Sequence, residues 1–242
     1  MSTPLKAALI AGTAAFLASG AHGAVVTSWT FNNAATSPDL GNGETQAVET
    51  SIRTATISRN KASNRSAQPT NLALEVWDFD TDVARSGHDG LNFVTVTTDF
   101  EGLSVTFLQK NGARSSAWAQ FQYSIDGGMT FVTTGLIDDG NYRVAGSKNF
   151  QLFNFDLSGI AQANNNANFQ FRVMAVHAPD MDKFIATSGK RYEAAGAKAT
   201  WKFDEVVVTG TTSTPVTTPA PGAMALLMAA GNLATGVRRR HH

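Results

Sequence analysis

From Val25 to Gly210 apolar and polar residues alternate with a period of two, the pattern of strands that bury one face and leave the other in water. Phe121, Tyr123 and Ile125 alternate with Gln122 and Ser124, and Phe153, Phe155 and Leu157 with Leu152, Asn154 and Asp156. Phe169, Phe171 and Val173 are spaced by Gln170 and Arg172. Leu103, Val105 and Phe107 repeat the pattern, as do Trp201 and Phe203 around Lys202. Residues 25–31, 52–57, 72–77, 93–97 and 131–134 read as further strands. Turn residues punctuate the runs at Asp89-Gly90, Asn111-Gly112, Asp126-Gly127-Gly128 and Asp139-Gly140. About ten short strands with no alternating helices predict an all-β, jelly-roll-like β-sandwich. The absence of a repeat argues against a propeller or solenoid. One helical turn is expected over 157–163. Residues 179–198 read as a long loop with some helix near Tyr192, Glu193, Ala194 and Ala195.

The two ends break this pattern. Lys6 precedes an uncharged run from Ala7 to Ala18, and small residues follow to Ala24, so residues 1–24 read as a secretory signal helix. Residues 211–218 are a Thr/Ser/Pro linker that buries nothing and stays extended. The rest, 219–242, holds Pro219-Ala220-Pro221-Gly222, an apolar run from Ala223 to Val237, and Arg238-Arg239-Arg240. As a helix that run reaches only about 22 Å, short of a hydrocarbon core of ~30 Å, which favours transient over permanent engagement of the inner membrane. The arginines would hold its end on the cytoplasmic side. A plain C-terminal membrane helix is the competing reading.

The order of these parts resembles the PEP-CTERM sorting signal of bacterial surface proteins. Pro219, Pro221 and Gly222 match its proline motif, and Arg238, Arg239 and Arg240 its basic end. Ala220 stands where the family prefers Glu, and His241-His242 trail the arginines. The resemblance implies an exosortase-type processing enzyme as a partner, and delivery to the cell surface or extracellular space after transient membrane anchoring. The body resembles the β-sandwich domains that accompany such tails. Tyr123-Ser124-Ile125-Asp126-Gly127-Gly128, Phe155-Asp156-Leu157-Ser158, Asn168–Arg172 and Trp201–Gly210 carry that likeness. It implies a carbohydrate-binding type of jelly roll, most members of which have no assigned activity.

Charge narrows the partners. The chain of 242 residues is formally neutral, but Lys6 and the three terminal arginines lie in the end segments. The remainder holds 15 basic against 19 acidic residues, a net charge of −4, which argues against nucleic acid. There is no cysteine, so thiol catalysis and Cys-ligated metals are excluded.

Four groups of residues carry candidate chemistry. Asp78, Asp80, Asp82 and Asp89, with Ser86, mimic the oxygen-ligand spacing of a calcium loop, although Val83 stands where such loops place Gly and Asp89 where they place Glu. The same residues also read as a solvated acidic loop, and calcium is the one cofactor they suggest. Trp77, beside the acidic residues, and Trp118, after the loop 110–116, are candidate platforms for sugar, with core packing the competing reading for each; Trp29 and Trp201 fall in strand alternation and read as core. Ser124, Asp126 and Gly128 belong to a segment through Phe131 that matches the Asp-box pattern. It is a structural turn in which Asp126 bonds backbone N–H groups, Gly128 takes a positive φ and Phe131 packs inward. Glu75, Glu101 and Asp204 are the carboxylates from which a glycosidase pair would have to be drawn. No nucleophile elbow, zinc-protease motif or Walker loop is present, and His88 and His177 are isolated. The reading is therefore an exported, non-enzymatic structural or adhesive β-sandwich within an extracellular polysaccharide matrix. A calcium-assisted carbohydrate-binding domain is the alternative, and a secreted glycoside or ester hydrolase the third.

Overall fold

The computed structural model describes residues 23–56, 72–80, 82–146, 148–193, 196 and 198–213. Among them eleven strands follow one another: β1 (Ala24–Trp29), β2 (Gly43–Val48), β3 (Ser51–Thr56), β4 (Leu72–Trp77), β5 (Gly90–Thr95), β6 (Phe100–Asn111), β7 (Trp118–Ser124), β8 (Asn141–Arg143), β9 (Gln151–Asp156), β10 (Gln170–Ala175) and β11 (Trp201–Thr212). All pairings are antiparallel. One sheet runs β3-β4-β11-β6-β9 with β1 also on β11; the other runs β2-β5-β10-β7-β8. The expected all-β, jelly-roll-like sandwich is the observed architecture.

Strand β11 holds the six-stranded sheet together. Its start, Trp201–Phe203, pairs with β4, and Val206–Gly210 pairs with β1 on the same side. Between them the register against β6 shifts, and Glu205 takes a φ of 48°. A bulge of this kind re-aims a strand, here where one neighbour gives way to the next. The two inner faces meet in an aromatic core. Trp29, Phe93, Phe107, Phe121, Phe169, Phe171, Trp201 and Phe203 are all fully buried. The rings of Phe93 and Phe171 stack at 4.7 Å within the five-stranded sheet, and those of Phe121 and Phe155, stacked at 4.2 Å, join it to the six-stranded sheet. Trp29 and Trp201 are core residues, as their alternation implied.

The inward row of β6 does not stay apolar. After Leu103, Val105 and Phe107 come Gln109 and Asn111, both fully buried. Gln109 Nε2 donates to Asn111 Oδ1 at 2.9 Å, and Gln109 Oε1 accepts from Tyr142 Oη at 2.6 Å. Asn111 Nδ2 donates to the Ser116 carbonyl at 2.8 Å, which also accepts from Trp201 Nε1 at 3.2 Å. A buried amide is tolerable only when satisfied in this way.

Several expected elements shift. Gly90 lies inside a strand rather than a turn, so β5 begins before Phe93 and ends at Thr95. Residues 131–134 make only an isolated bridge, Tyr123 to Val132, because β8 takes the rest of that edge of β7. The helical turn expected over 157–163 is reduced to a 3-10 turn at Ala161–Ala163. Tyr192 and Glu193 are not helical, while Ala194 and Ala195 lie outside the described residues. Strand β11 continues to Thr212, two residues into the expected linker, and β1 begins at Ala24, the last residue assigned to the leader. The signal helix, the apolar tail and the motif residues Pro219, Pro221, Gly222, Arg238, Arg239 and Arg240 lie outside the described residues. Among the described residues no helix is long and apolar enough to cross a membrane.

Candidate ligand-binding face

Strands β2, β5, β10 and β7 direct alternate side chains, Leu91, Phe93, Phe171, Phe121 and Tyr123 among them, into the core, so the residues between them meet on the outer face of the five-stranded sheet. Register places Gln46 opposite Asn92, Asn92 opposite Arg172, and Arg172 opposite Gln122. With strands ~4.8 Å apart, this row of amides and one guanidinium runs about 14 Å across the sheet. Gln120 and Gln170 flank it. Asn92 Nδ2 donates to Gln170 Oε1 at 2.9 Å and to Gln46 Oε1 at 3.4 Å. Arg172 Nε donates to Gln122 Oε1 at 2.6 Å, Gln122 Nε2 to Gln120 Oε1 at 2.6 Å, and Gln120 Nε2 to the Asp139 carbonyl at 3.1 Å. One acceptor is left over. Asn92 is only 6% exposed, and its Oδ1 is buried with no hydrogen-bond donor. Leaving such an atom unpaired costs about 1–3 kcal/mol, which a donor from a bound molecule would recover.

Two aromatic side chains lie on this face, Phe131 at the row and Trp118 four residues, or about 13 Å, along β7 from Gln122. Trp118, at the start of β7, is half-buried on this outer face opposite Arg143. Phe131 lies under the Arg172 guanidinium, whose central carbon is 4.0 Å from the ring centroid. The inward packing expected for Phe131 is therefore corrected. Its neighbour Val132 bridges to the inward-facing Tyr123, and alternation turns Phe131 outward. Burial lowers the pKa of Arg172, but a guanidinium stays charged in proteins.

The turn that delivers Phe131 is held as its spacing implied. Ser124 Oγ and Asp126 Oδ1 are 2.7 Å apart, and Gly128 N donates to Ser124 Oγ at 2.9 Å. Thr130 donates to Asp126 from its backbone N at 3.0 Å and from its hydroxyl at 2.5 Å. Gly128 has a φ of +88°, a conformation that side chains rarely adopt. Hydrogen bonds from the Thr130 hydroxyl, Ser124 and the Thr130 N–H lower the Asp126 pKa to about 2. A depressed carboxylate stabilises the fold above its unfolded pKa, and that contribution is lost as pH falls through the folded value. A carboxyl NMR titration should place the Asp126 midpoint at about 2, and the stability gap between wild type and Asp126→Asn should close between pH 4 and 2. A midpoint at the ordinary 3.8 would mean that these bonds are not formed.

The acidic loop is organised differently from a calcium loop. Arg85 lies among the carboxylates: its Nε is 3.0 Å from Asp80, one terminal nitrogen is 3.7 Å from Asp89, and it also contacts Glu49. Asp89 is buried, and its Oδ2 accepts from Asp80 N at 2.7 Å. Burial raises its pKa, against that hydrogen bond and the Arg85 charge. Asp82 caps the 3-10 turn Val83–Arg85 by accepting from Ala84 N, while Asp78 is exposed. Among the described residues no group of three or more carboxylates or imidazoles is placed to hold a metal ion. The sequence spacing could not show that the cation between Asp80 and Asp89 is the protein's own Arg85.

Trp77 and Trp118 do not form one platform. Trp77 is 37% exposed on the outer face of the other sheet, with the Arg53 guanidinium 5.4 Å from its ring. Beside it Glu75 accepts from Arg53 Nε at 2.7 Å and faces Lys202 Nζ at 3.3 Å. Burial opposes its ionisation, but these two cations outweigh it and lower the Glu75 pKa. Glu75 and Glu101 cannot form a glycosidase pair. They sit opposite Lys202 and Thr211 of β11, nine residues or about 30 Å apart, whereas such pairs stand about 5–10 Å apart. Asp204 is buried in β11, where it accepts from Glu205 N. Sequence reasoning missed Gln46, Asn92, Gln120, Gln122, Gln170, Arg172 and the outward role of Phe131. The available signal was that amides, rather than Lys, Glu or Thr, fill the solvent-facing positions of neighbouring strands.

No family model matches the chain, and no curated protein matches it. Solved structures with a similar strand arrangement include the family 22 carbohydrate-binding and catalytic modules of a Clostridium thermocellum xylanase complexed with xylohexaose, at 12% identity and a TM-score of 0.44 over 78% of this chain. A tandem pair of family 22 modules from Paenibacillus barcinonensis matches at 13% identity and a TM-score of 0.48 over 84%. The first module of that pair, described as xylan-binding, matches at 13% identity and a TM-score of 0.43 over 79%. The match spans 29% of the first of these chains, 50% of the second and 97% of the third.

Proposed function

We propose that this chain is a carbohydrate-binding β-sandwich that takes a glycan across the outer face of its five-stranded sheet. The observation that carries this reading is the buried, donor-less Asn92 Oδ1 in a row of amides, next to an Arg172 that is stacked on Phe131. Sugars present hydroxyl donors and acceptors around an apolar ring face, and planar amides next to aromatic rings complement both. The elongated, strand-crossing shape suits a chain of sugars better than a compact metabolite. No step of bond cleavage is part of the reading, because the row itself, Gln46, Asn92, Arg172 and Gln122, holds no carboxylate to act as acid, base or nucleophile.

Export follows from the ends of the chain: the leader brings the domain across the inner membrane, and the exosortase-type tail delivers it to the surface. An adhesive role in an extracellular matrix is then exercised through the polysaccharide that the face holds. Calcium has no place in the proposal, since the Arg85 guanidinium occupies the position between Asp80 and Asp89.

A glycan array followed by titration calorimetry tests the reading. Asn92→Ala and Gln122→Ala are each expected to weaken binding about tenfold, the effect of losing roughly 1.4 kcal/mol of hydrogen bonding, with thermal melting unchanged to within a few degrees. Binding that survives the double substitution at full strength would move the site elsewhere.

A further inference from the structure

Arg172 gives the face a chemical preference that its amides alone would not have. The other arginines with buried or half-buried guanidinium groups meet carboxylates: Arg85 meets Glu49, Asp80 and Asp89, and Arg114 meets Glu193. Exposed Arg53 meets Glu75. Arg172 is half-buried, yet among the described residues no carboxylate lies within ion-pair distance of it. It is instead fixed in orientation. Phe131 supports its flat face at 4.0 Å, and Nε is tied to Gln122 Oε1 at 2.6 Å. Stacking and a single Nε hydrogen bond leave the terminal N–H groups without a side-chain acceptor among the described residues. A guanidinium held in this way is a preformed fork for a planar carboxylate, and burial without a counter-ion strengthens its demand for one.

The other charges on and around this sheet are of mixed sign. Glu44 lies on the edge strand β2 and accepts from Gln46 Nε2 at 3.0 Å, while Arg143 lies on the opposite edge beside Trp118. Asp138 and Asp139 immediately precede β8, and Glu44 is two strands away from Arg172, so the preference rests on the Arg172 fork itself and not on a positive patch around it. The mildly acidic net charge of the domain does not override this, because exposed charges are screened beyond about 8 Å at physiological salt.

Resting on the glycan reading above, we propose that the ligand is an acidic polysaccharide, with a uronate carboxylate received by the Arg172 fork and a hydroxyl of the same or the adjoining sugar donated to Asn92 Oδ1. The juxtaposition is direct, since Arg172 and Asn92 are register partners on adjacent strands. Neutral glycans would satisfy Asn92 and leave the guanidinium without an anion.

The test keeps the protein constant and changes the ligand. A panel of uronate polymers, including polygalacturonate and alginate, is titrated against the full chain alongside each polymer after carboxyl reduction to its neutral counterpart. At least one acidic polymer should bind about tenfold or more tightly than its reduced form, and binding should weaken as ionic strength rises. Arg172→Gln should abolish that preference, and Arg172→Lys, which keeps the charge but loses the fork, should retain only part of it. Circular dichroism melts verify that each variant is folded. Equal binding of acidic and reduced polymers, with Asn92→Ala still weakening both, would overturn the acidic preference and leave the glycan site standing. Binding to no member of either series would overturn both.

Discussion

Phe171→Ala is expected to remove about 3–5 kcal/mol of stability, a large part of the ~5–15 kcal/mol that holds a domain of this kind together. Phe171 is fully buried on β10, the middle strand of its sheet. Its ring stacks on Phe93 at 4.7 Å and Phe121 at 5.6 Å and meets the edge of Trp29 at 6.5 Å. Truncation loses the transfer free energy of the ring and leaves a cavity that three rigid neighbours cannot easily fill. Urea unfolding should show the midpoint falling with little change in slope. Leu152→Ala is the matched control: Leu152 is 68% exposed on edge strand β9, and its loss should stay within about 0.5 kcal/mol. A cost for Phe171→Ala below ~1.5 kcal/mol would mean that the aromatic stack is not the centre of the core.

The second large effect is expected from a much smaller change, Gly90→Ala. A Cβ at this position would lie 2.1 Å from the Val173 carbonyl oxygen and 2.9 Å from the Met174 Cα, both main-chain atoms of the neighbouring strand. Main chain in a sheet centre cannot swing aside as a side-chain tip can, so β5 must move away from β10. The cost should reach about 3 kcal/mol, the upper end of the usual overpacking range. Because Asn92 lies two residues along the same face of β5, glycan binding should fall together with stability. Hydrogen exchange should report the strain as faster exchange localised to the β5–β10 ladder. A melting temperature unchanged from wild type would show that the two strands are not in this close register.

How far these features were legible differs with their range along the chain. Period-two alternation marked β1, β3, β4, β6, β7, β9, β10 and β11, because a strand with one buried face writes that burial into its own residues. It also marked Trp29 and Trp201 as core, which they are, whereas Trp77 and Trp118 stood out only by the loops beside them. The Ser124–Thr130 turn was readable for the same reason: its bonds join residues at most four apart. Strands β2 (GETQAV) and β8 (NYR) were not legible, since their apolar content is too low to show a period and partners impose their pairing.

What tertiary structure alone decided was which polar residues meet. Gln46, Asn92, Gln122 and Arg172 lie up to 126 positions apart and become one row only through the order β2-β5-β10-β7 and its register. The same register set Glu75 and Glu101 at opposite ends of β11, and a turn of the chain brought Arg85 between Asp80 and Asp89. Burial is a property that each residue largely carries with it. Juxtaposition across strands depends on every intervening connection, and it is juxtaposition that makes a binding face.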